Sequence, residues 1–325
     1  MALVKSMSKR TIPKNLAFVI SLLIFSIFSN ACFSVSSQKE NNKTDSSDRS
    51  SKNYYEPEIV GEIKTNEIDE SSGLAASKCS DDVFWTHNDS GDDAFIFAIN
   101  SKGKKLATYK VKNAENTDWE DIAEYKDKNG QCFLYIGNIG NNTRARTEFK
   151  IYRVKEPSDF SKESSKKNPQ MTENSEAIKF SYPDLRHDAE TLLVHPQTGD
   201  IYIITKRLTG AAGVYKLKSD YDKTNTNKLE KIADFSVPAV PEGLLTGGDI
   251  SPDGRRLIIC DYFGAYELIL PEKTNNFDDI WKENPNKIFV GQREQGEAIG
   301  YSADGKSIFT TSEKKNSPMI EVKRK

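Results

Sequence analysis

A pattern that recurs five times between residues 72 and 313 constrains the fold more than any other feature of this sequence. Each copy has a short apolar segment, a polar turn and a second apolar segment rich in Ile, Tyr and Phe. The first apolar segments align at Leu74, Ile122, Leu192, Ile250 and Ile299. Turns typical of hairpins separate the two segments at Asn129-Gly130, Thr198-Gly199-Asp200, Asp253-Gly254 and Asp304-Gly305. The pattern therefore predicts a series of repeated β-hairpins.

Two more strand-like runs follow the hairpin in the first four copies, whereas the fifth copy has three runs in all. Four short antiparallel strands per copy are typical of a propeller blade. We predict an all-β propeller with five blades, in which a strand at residues 58–63 completes the last blade and leaves no free edge. A polar insert at residues 158–176 leaves room for a sixth blade. A β-sandwich with a similar number of strands is the alternative, but it does not need so regular a repeat.

The N-terminus has the pattern of an export signal. Lys5, Lys9, Arg10 and Lys14 precede an apolar run at residues 16–28. A basic segment followed by a short apolar one is typical of a secretory signal peptide, and the run is shorter than the roughly 20 residues that span a bilayer.

Small residues and Cys32 follow this run and resemble the lipobox of bacterial lipoproteins. We expect residues 1–31 to be a signal peptide and Cys32 to be lipidated, with residues 32–53 as a flexible polar tether and residues 54–325 as a single propeller domain. The protein would then be exported and anchored to a membrane of the bacterial cell envelope, in the periplasm or at the cell surface. The alternative is an ordinary signal peptide with an incidental cysteine.

Composition excludes two classes of function. Lys and Arg number 46 and Asp and Glu number 48, so the net charge of −2 argues against a protein that binds nucleic acid through bulk positive charge. Only 3 histidines are present, which argues against a histidine-rich metal site.

Three glutamates take equivalent places in the repeat. Glu120, Glu190 and Glu297 each stand two residues before the aligned apolar residue, so a propeller brings them to the mouth of its central channel. Carboxylates that converge repel one another, unless a pKa rises or a basic side chain or a cation lies among them. Oxygen ligands suit Ca²⁺ or Mg²⁺, and we predict such a site with Asp89 and Asp121 as further ligands. The alternative is that each glutamate pairs with an Arg or Lys of a neighbouring blade.

Two classes of loop lie on one face of a propeller: those that lead into each blade, and those between its second and third strands. We call this face the polar face. Its arginines suit the bidentate binding of a phosphate or a carboxylate. The predicted ligand-binding residues there are His87, Asn88, Asn138, Asn142, Arg144, Arg146, Lys206 and Arg207.

Cys79 and Cys132 occupy equivalent turns of the first two copies, on the opposite face. An exported protein allows them to form a disulfide. Cys260 stands inside an apolar strand and is expected to be a free thiol in the core.

Several segments resemble exported bacterial propellers of the SdiA-regulated family and, more distantly, the esterase-like domain of phytase-type proteins. They are ESSGLA at Glu70, WTHNDSG at Trp85, DWEDIA at Asp118, GNIGNN at Gly137 and AETLLVHP at Ala189. The resemblance covers residues 58–322 and implies a propeller that binds calcium. A looser likeness to calcium-activated nucleotidases implies carboxylates around a central Ca²⁺, but Ser72 and Gly248 interrupt such a ring.

Two functions remain open at this point. One is a binding module on a membrane anchor, stabilised by a cation, with an unidentified ligand or protein on its polar face. The other is a Ca²⁺- or Mg²⁺-dependent hydrolase of phosphoesters or phosphoanhydrides, favoured by the arginines beside the carboxylates.

Overall fold

A computed structural model describes residues 52–325 of the chain. The predicted signal peptide, Cys32 and nearly all of the predicted tether lie outside the described residues. Within residues 52–325, the helical structure is a 3-10 segment at Phe277–Lys282. No helix in this part of the chain is long and apolar enough to cross a membrane.

The described chain forms five sheets, one for each copy of the repeat. A first strand, β1 (Glu58–Glu62), precedes the repeat. Blade 1 contains β2 (Ala75–Ala76), β3 (Phe84–Thr86), β4 (Phe95–Ile99) and β5 (Lys105–Lys112). Blade 2 contains β6 (Asp121–Lys126), β7 (Cys132–Asn138) and β8 (Phe149–Lys155), followed after β9 (Gln170–Asn174) by β10 (Glu176–Ser181). Blade 3 contains β11 (Ala189–Val194), β12 (Ile201–Thr205) and β13 (Ala212–Leu217), followed after β14 (Asn227–Lys228) by β15 (Glu230–Phe235). Blade 4 contains β16 (Gly247–Ile250), β17 (Arg256–Cys260), β18 (Ala265–Ile269) and β19 (Asn286–Ile288), and blade 5 contains β20 (Ile299–Tyr301), β21 (Ser307–Thr310) and β22 (Pro318–Lys323).

The innermost strands of the five blades, β2, β6, β11, β16 and β20, contact one another in a ring. This arrangement confirms the prediction of an all-β propeller with five blades. The alternative of a β-sandwich is excluded because the strands form five small sheets and not two large ones.

The N-terminal strand closes the ring, as predicted. β1 pairs antiparallel with β22 and so becomes the outer strand of blade 5. Just before β1, Tyr54 is 2% exposed and its hydroxyl donates to Glu267 Oε1 in blade 4, at 2.5 Å. Arg256 Nη1 lies 3.7 Å from the same carboxylate. The segment that closes the ring is therefore also held to the neighbouring blade.

The polar insert does not form a sixth blade. Its strand β9 pairs parallel with β5 and extends blade 1 instead. In the same way, β14 leaves blade 3 and pairs parallel with β10 of blade 2. Each of these two straps covers the outer edge of the preceding blade, which protects that edge from pairing with another chain.

The hairpin turns adopt the backbone that their sequences predict. Gly254 and Gly305, in the matching turns of blades 4 and 5, have φ angles of +67° and +68°, a region that favours glycine.

The hairpin turns of blades 1 and 2 bring Cys79 and Cys132 together in a disulfide, with Cα atoms 6.2 Å apart. Cys260 is a buried free thiol, as expected.

Two aspartates tie neighbouring blades together at the channel. Asp121 accepts hydrogen bonds from the backbone amides of Ile122, at 2.8 Å, and of Leu192 in blade 3, at 2.9 Å. Asp249 does the same with Ile250, at 2.8 Å, and Tyr301 in blade 5, at 2.9 Å. Both carboxylates stand one residue before an aligned apolar residue, so the repeat places the same interaction at two junctions.

Tyr54→Ala tests the closure of the ring. The substitution removes a buried aromatic side chain and one of the two hydroxyl donors to Glu267, the other being Tyr301, so the free energy of unfolding should fall by about 3–5 kcal/mol. Tyr55→Ala is the matched control, because the adjacent side chain is 58% exposed and should change stability little. Denaturant unfolding measures both, and equal effects would contradict the role of Tyr54.

Candidate functional site

Five carboxylates meet at the channel on the polar face. Glu120 lies at the centre of the group: Asp89 and Asp118 have oxygen atoms within 4.8 Å of one another and of Glu120, and so do Asp188 and Glu190. We call Asp89, Asp118, Glu120, Asp188 and Glu190 the acidic cluster. The loops that lead into blades 2 and 3 supply four of its members, and the loop after β3 supplies Asp89.

The local backbone explains why these side chains converge. Asp118 and Glu120 are two residues apart, as are Asp188 and Glu190, and alternate residues of an extended chain point to the same side. The Asn138 side-chain oxygen accepts from the Asp118 amide at 3.0 Å and holds that loop in place. Opposite them lies Gly140, where a Cβ would overlap Glu120 Oε1 and Asp118 Oδ2. A larger residue at that position would displace the carboxylates.

Glu120 is buried without a compensating hydrogen bond. The residue is 2% exposed, and its carboxylate accepts no hydrogen bond from the groups of residues 52–325. Burial raises the pKa of Glu120 well above its usual range, and Glu190, Asp89 and Asp118 raise it further. A buried carboxylate without partners must bind a proton or a cation.

Other members of the cluster are in a similar state. Burial raises the pKa of Asp89 to about 8, with Glu190 adding to the shift. The Oδ1 atom of Asp89 is buried and has no partner within the described part of the chain. Burial, followed by the charge of Asp188, raises the pKa of Asp118 to about 6.

One ammonium group lies against the cluster. Lys206 Nζ is 2.5 Å from Glu190 Oε1, and burial opposes its charge. The attraction of Glu190 outweighs burial and raises the pKa of Lys206, which therefore stays protonated. A basic side chain therefore lies among the glutamates, as the alternative from the sequence expects. Lys206 forms an ion pair with one of the five carboxylates, that of Glu190.

Two of the predicted metal ligands are outside the cluster. Glu297 is hydrogen-bonded to Glu313 and accepts from the Ser72 hydroxyl at 3.2 Å, and burial, followed by Glu313, raises its pKa. Asp121 follows Glu120 directly and therefore points to the other side of the strand. Its two carboxylate oxygens accept hydrogen bonds from the backbone amides of Ile122 and Leu192. Glu297 and Asp121 therefore use their carboxylates in contacts outside the acidic cluster, although the charge of Glu190 still acts on Glu297.

Two predicted ligand residues of the first blade are structural. His87 is fully buried, with its ring edge against Trp119 at 5.7 Å, and burial lowers its pKa to about 4. Asn88 is also buried, and its amide nitrogen donates to the Glu67 carbonyl at 2.9 Å and to Asp92 at 2.8 Å. Both side chains therefore order the loop that carries Asp89 and are not available to a ligand.

The remaining predicted residues differ in their access to the face. Asn142 and Arg144 are exposed, whereas Asn138 is buried and positions Asp118. Arg146 is half-buried and donates to the carbonyl oxygens of Gly140, at 2.6 Å, and Asn138, at 2.9 Å. The backbone amide of Arg207 donates to the Gly243 carbonyl at 2.8 Å, and its side chain is half-buried.

Sequence reasoning missed three acidic residues of this face. Asp118 and Asp188 each precede a predicted glutamate by two residues, so the repeated Asp-x-Glu spacing was a usable signal. Blade 5 has Gln295 at that position, and there the partner of Glu297 is Glu313, from a loop that the repeat does not align.

No family model matches the chain, and no curated protein sequence matches it. Among solved structures, the PQQ-bound form of an aldose sugar dehydrogenase from Streptomyces coelicolor is similar, with a TM-score of 0.48 and 8% sequence identity. The alignment covers 83% of this chain and 98% of that chain. The assignment of the propeller rests on the strand pairing described above.

The raised pKa values predict how stability without metal depends on pH. The unfolded chain loses these protons above about pH 4, whereas the folded protein holds that of Asp118 up to about pH 6 and that of Asp89 up to about pH 8. Each contribution to stability therefore falls as pH rises through its own window. In a chelator, Asp89→Asn should therefore flatten the decline in melting temperature between pH 6 and pH 8. Melting curves of wild type and variant across this range provide the measurement, and parallel curves would contradict the assignment.

Proposed function

We propose that the propeller is the binding domain of an exported lipoprotein, and that its acidic cluster holds a divalent cation, Ca²⁺ or Mg²⁺. The N-terminal pattern ending in Cys32 supports export and lipidation. The motifs shared with the SdiA-regulated family support a propeller of the cell envelope that binds calcium. In this proposal the membrane is reached through the lipid, and the polar face is left for a ligand or a partner protein.

The burial of Glu120 carries the proposal for a cation. A carboxylate that is 2% exposed, accepts no hydrogen bond within residues 52–325 and faces four other carboxylates needs a positive charge or a proton. Lys206 forms its ion pair with Glu190, and no Lys or Arg within residues 52–325 forms an ion pair with Asp89, Asp118 or Asp188 around Glu120.

The residue types fit a hard cation. Asp89, Asp118, Glu120 and Asp188 offer carboxylate oxygens only, which are the ligands that Ca²⁺ and Mg²⁺ prefer. Within residues 52–325 no sulfur or imidazole belongs to the groups that include Glu120, which disfavours zinc. Ca²⁺ accepts six to eight oxygens in flexible geometry and so suits side chains from three separate loops.

A thermal-shift titration tests the cation. A ligand that binds only the native state stabilises it by about 2.7 kcal/mol at 100 times its dissociation constant, so millimolar Ca²⁺ or Mg²⁺ should raise the melting temperature and chelator should lower it. Glu120→Gln keeps the size of the side chain but removes its charge, and should abolish most of this response.

Glu124→Gln is the matched control for that titration. It removes the same charge from the same blade, but Glu124 pairs with Lys78, outside the cluster. This variant should keep the full response to the cation. A wild type that does not respond to either ion would refute the cation site, as would equal responses of wild type and Glu120→Gln.

One observation favours the second function, a metal-dependent phosphoester or phosphoanhydride hydrolase. The guanidinium of Arg146 is close enough to Asp118 and Glu120 for their charges to raise its pKa, although burial lowers it overall. A phosphate group could therefore lie between that guanidinium and a cation in the cluster. The cation would supply charge neutralisation and activation of water for attack on phosphorus.

Turnover of 4-nitrophenyl phosphate and of inorganic pyrophosphate separates the two functions. A hydrolase should release product in Ca²⁺ or Mg²⁺, lose nearly all activity in Glu120→Gln, and retain it in Glu124→Gln. A protein that is stabilised by the cation but turns over neither substrate is the binding module. Turnover that Glu120→Gln leaves unchanged would assign the activity to a contaminant.

A further inference from the structure

A second feature of the polar face lies beside the acidic cluster. A cavity of about 600 Å³ opens between the loop after β7 and the loop that leads from β10 into blade 3. Arg144, Arg146 and Arg186 line it, together with Phe149, Tyr182 and Leu185. Its volume is within the range of about 300–1,000 Å³ that is typical of small-molecule sites.

The three arginines of the cavity form no direct ion pair within the described residues. The charges of Asp118 and Asp188 act on Arg146 and Arg144 from more than 4.0 Å away. Arg146 donates to two backbone carbonyls, and Arg186 donates to the Ala145 carbonyl at 3.1 Å. Three guanidinium groups at one cavity without an anion are arranged to bind one.

The single carboxylate of the cavity is already engaged. Asp184 Oδ1 lies 3.0 Å from His187 Nε2, and its Oδ2 accepts from the Tyr215 hydroxyl at 2.9 Å. These contacts turn Asp184 toward blade 3, so it does not neutralise the arginines. The cavity therefore differs in charge from the acidic cluster, which lies on the other side of Arg146.

The position of Arg144 points to a role for its side chain. Its φ is +52°, in the left-handed region that favours glycine and strains an arginine. The Arg144 amide donates to the Asn141 carbonyl at 2.7 Å, so the tight turn itself needs the backbone and not the guanidinium. A strained residue whose side chain the fold does not use is a candidate for function.

Aromatic rings form the other wall. The guanidinium of Arg146 lies 4.9 Å from the centre of the Phe149 ring, which is stacked on Phe180 at 5.5 Å. Tyr182 meets Phe149 edge-on at 5.3 Å. Leu185, 73% exposed, adds an apolar surface at the rim. These side chains suit the packing of a planar ring beside the positive charges.

We propose that this cavity binds a small molecule in which a planar ring carries a carboxylate or a phosphate group. The anion pairs with Arg144, Arg146 and Arg186, and the ring packs against Tyr182 and Leu185. The inference rests on the proposed binding function of the polar face, but it does not require a cation in the acidic cluster.

Calorimetric titration of the full chain with four probes tests the chemistry. Phenyl phosphate and benzoate carry a ring with either anion, phenol lacks the anion, and inorganic phosphate lacks the ring. At least one of the first two should bind ten times more tightly than both phenol and inorganic phosphate, and the better one identifies the preferred anion. Equal binding of phenol would overturn the role of the arginines, and no binding of either ring anion at millimolar concentration would overturn the site.

Two substitutions test the location. Arg144→Gly relieves the backbone strain, so it should keep or raise the melting temperature while it weakens binding at least tenfold. Arg186→Gln, at an exposed position, should weaken binding similarly. The control is Lys128→Gln with Lys306→Gln, which removes two exposed charges from turns of the opposite face and should leave affinity unchanged. Variants that bind as tightly as wild type would refute the cavity.

Repeating the titration with and without chelator separates this site from the cation. Binding that persists in chelator, in a protein whose stability does not respond to Ca²⁺ or Mg²⁺, supports the cavity although the cation site has failed. A response of stability to the cation, with no binding of the ring anions, refutes the cavity and keeps the cation.

Discussion

The pairing of the first described strand with the last one is the interaction on which this structure depends. Each blade has apolar faces that only its neighbours can cover, so the ring is stable when it is complete. The contact of β1 with β22 and the bond from Tyr54 to Glu267 complete it. The inner strands of the closed ring contact one another around the channel, and the loops that lead into them hold together carboxylates that repel one another.

Two neighbouring acidic residues, Glu120 and Asp121, have different roles in this fold. Asp121 has two backbone donors and joins blade 2 to blade 3, whereas Glu120, one residue earlier, has none within the described residues. Strand alternation sends the first toward the next blade and the second toward the polar face. Two amide donors stabilise the negative charge of a buried carboxylate. A buried carboxylate without donors needs a proton or a cation to neutralise its charge.

The repeat made most of the fold predictable, because hairpin turns and aligned apolar residues are local signals. The parallel straps β9 and β14 could not be foreseen, since they depend on which outer edge a long connection can reach. At the site, the alignment brings Glu120 and Glu190 together because both lie at the start of inner strands. It does not foresee the contact of Glu297 with Glu313, which comes from an irregular loop, or the burial of His87 against Trp119, which depends on the packing between blades. The cavity arginines come from two loops that only the folded chain brings together.

The straps and the disulfide are not spread evenly around the ring. The disulfide links blades 1 and 2, β9 runs back from the connection after β8 onto blade 1, and β14 runs back from blade 3 onto blade 2. Blades 4 and 5 have neither kind of link within residues 52–325, and depend on apolar packing, Asp249 and the closing strand. Additional links between blades are therefore confined to blades 1, 2 and 3, and blades 4 and 5 lack them. We therefore expect local opening of the native state, as amide hydrogen exchange detects it, to be concentrated in blades 4 and 5, away from both the acidic cluster and the arginine cavity.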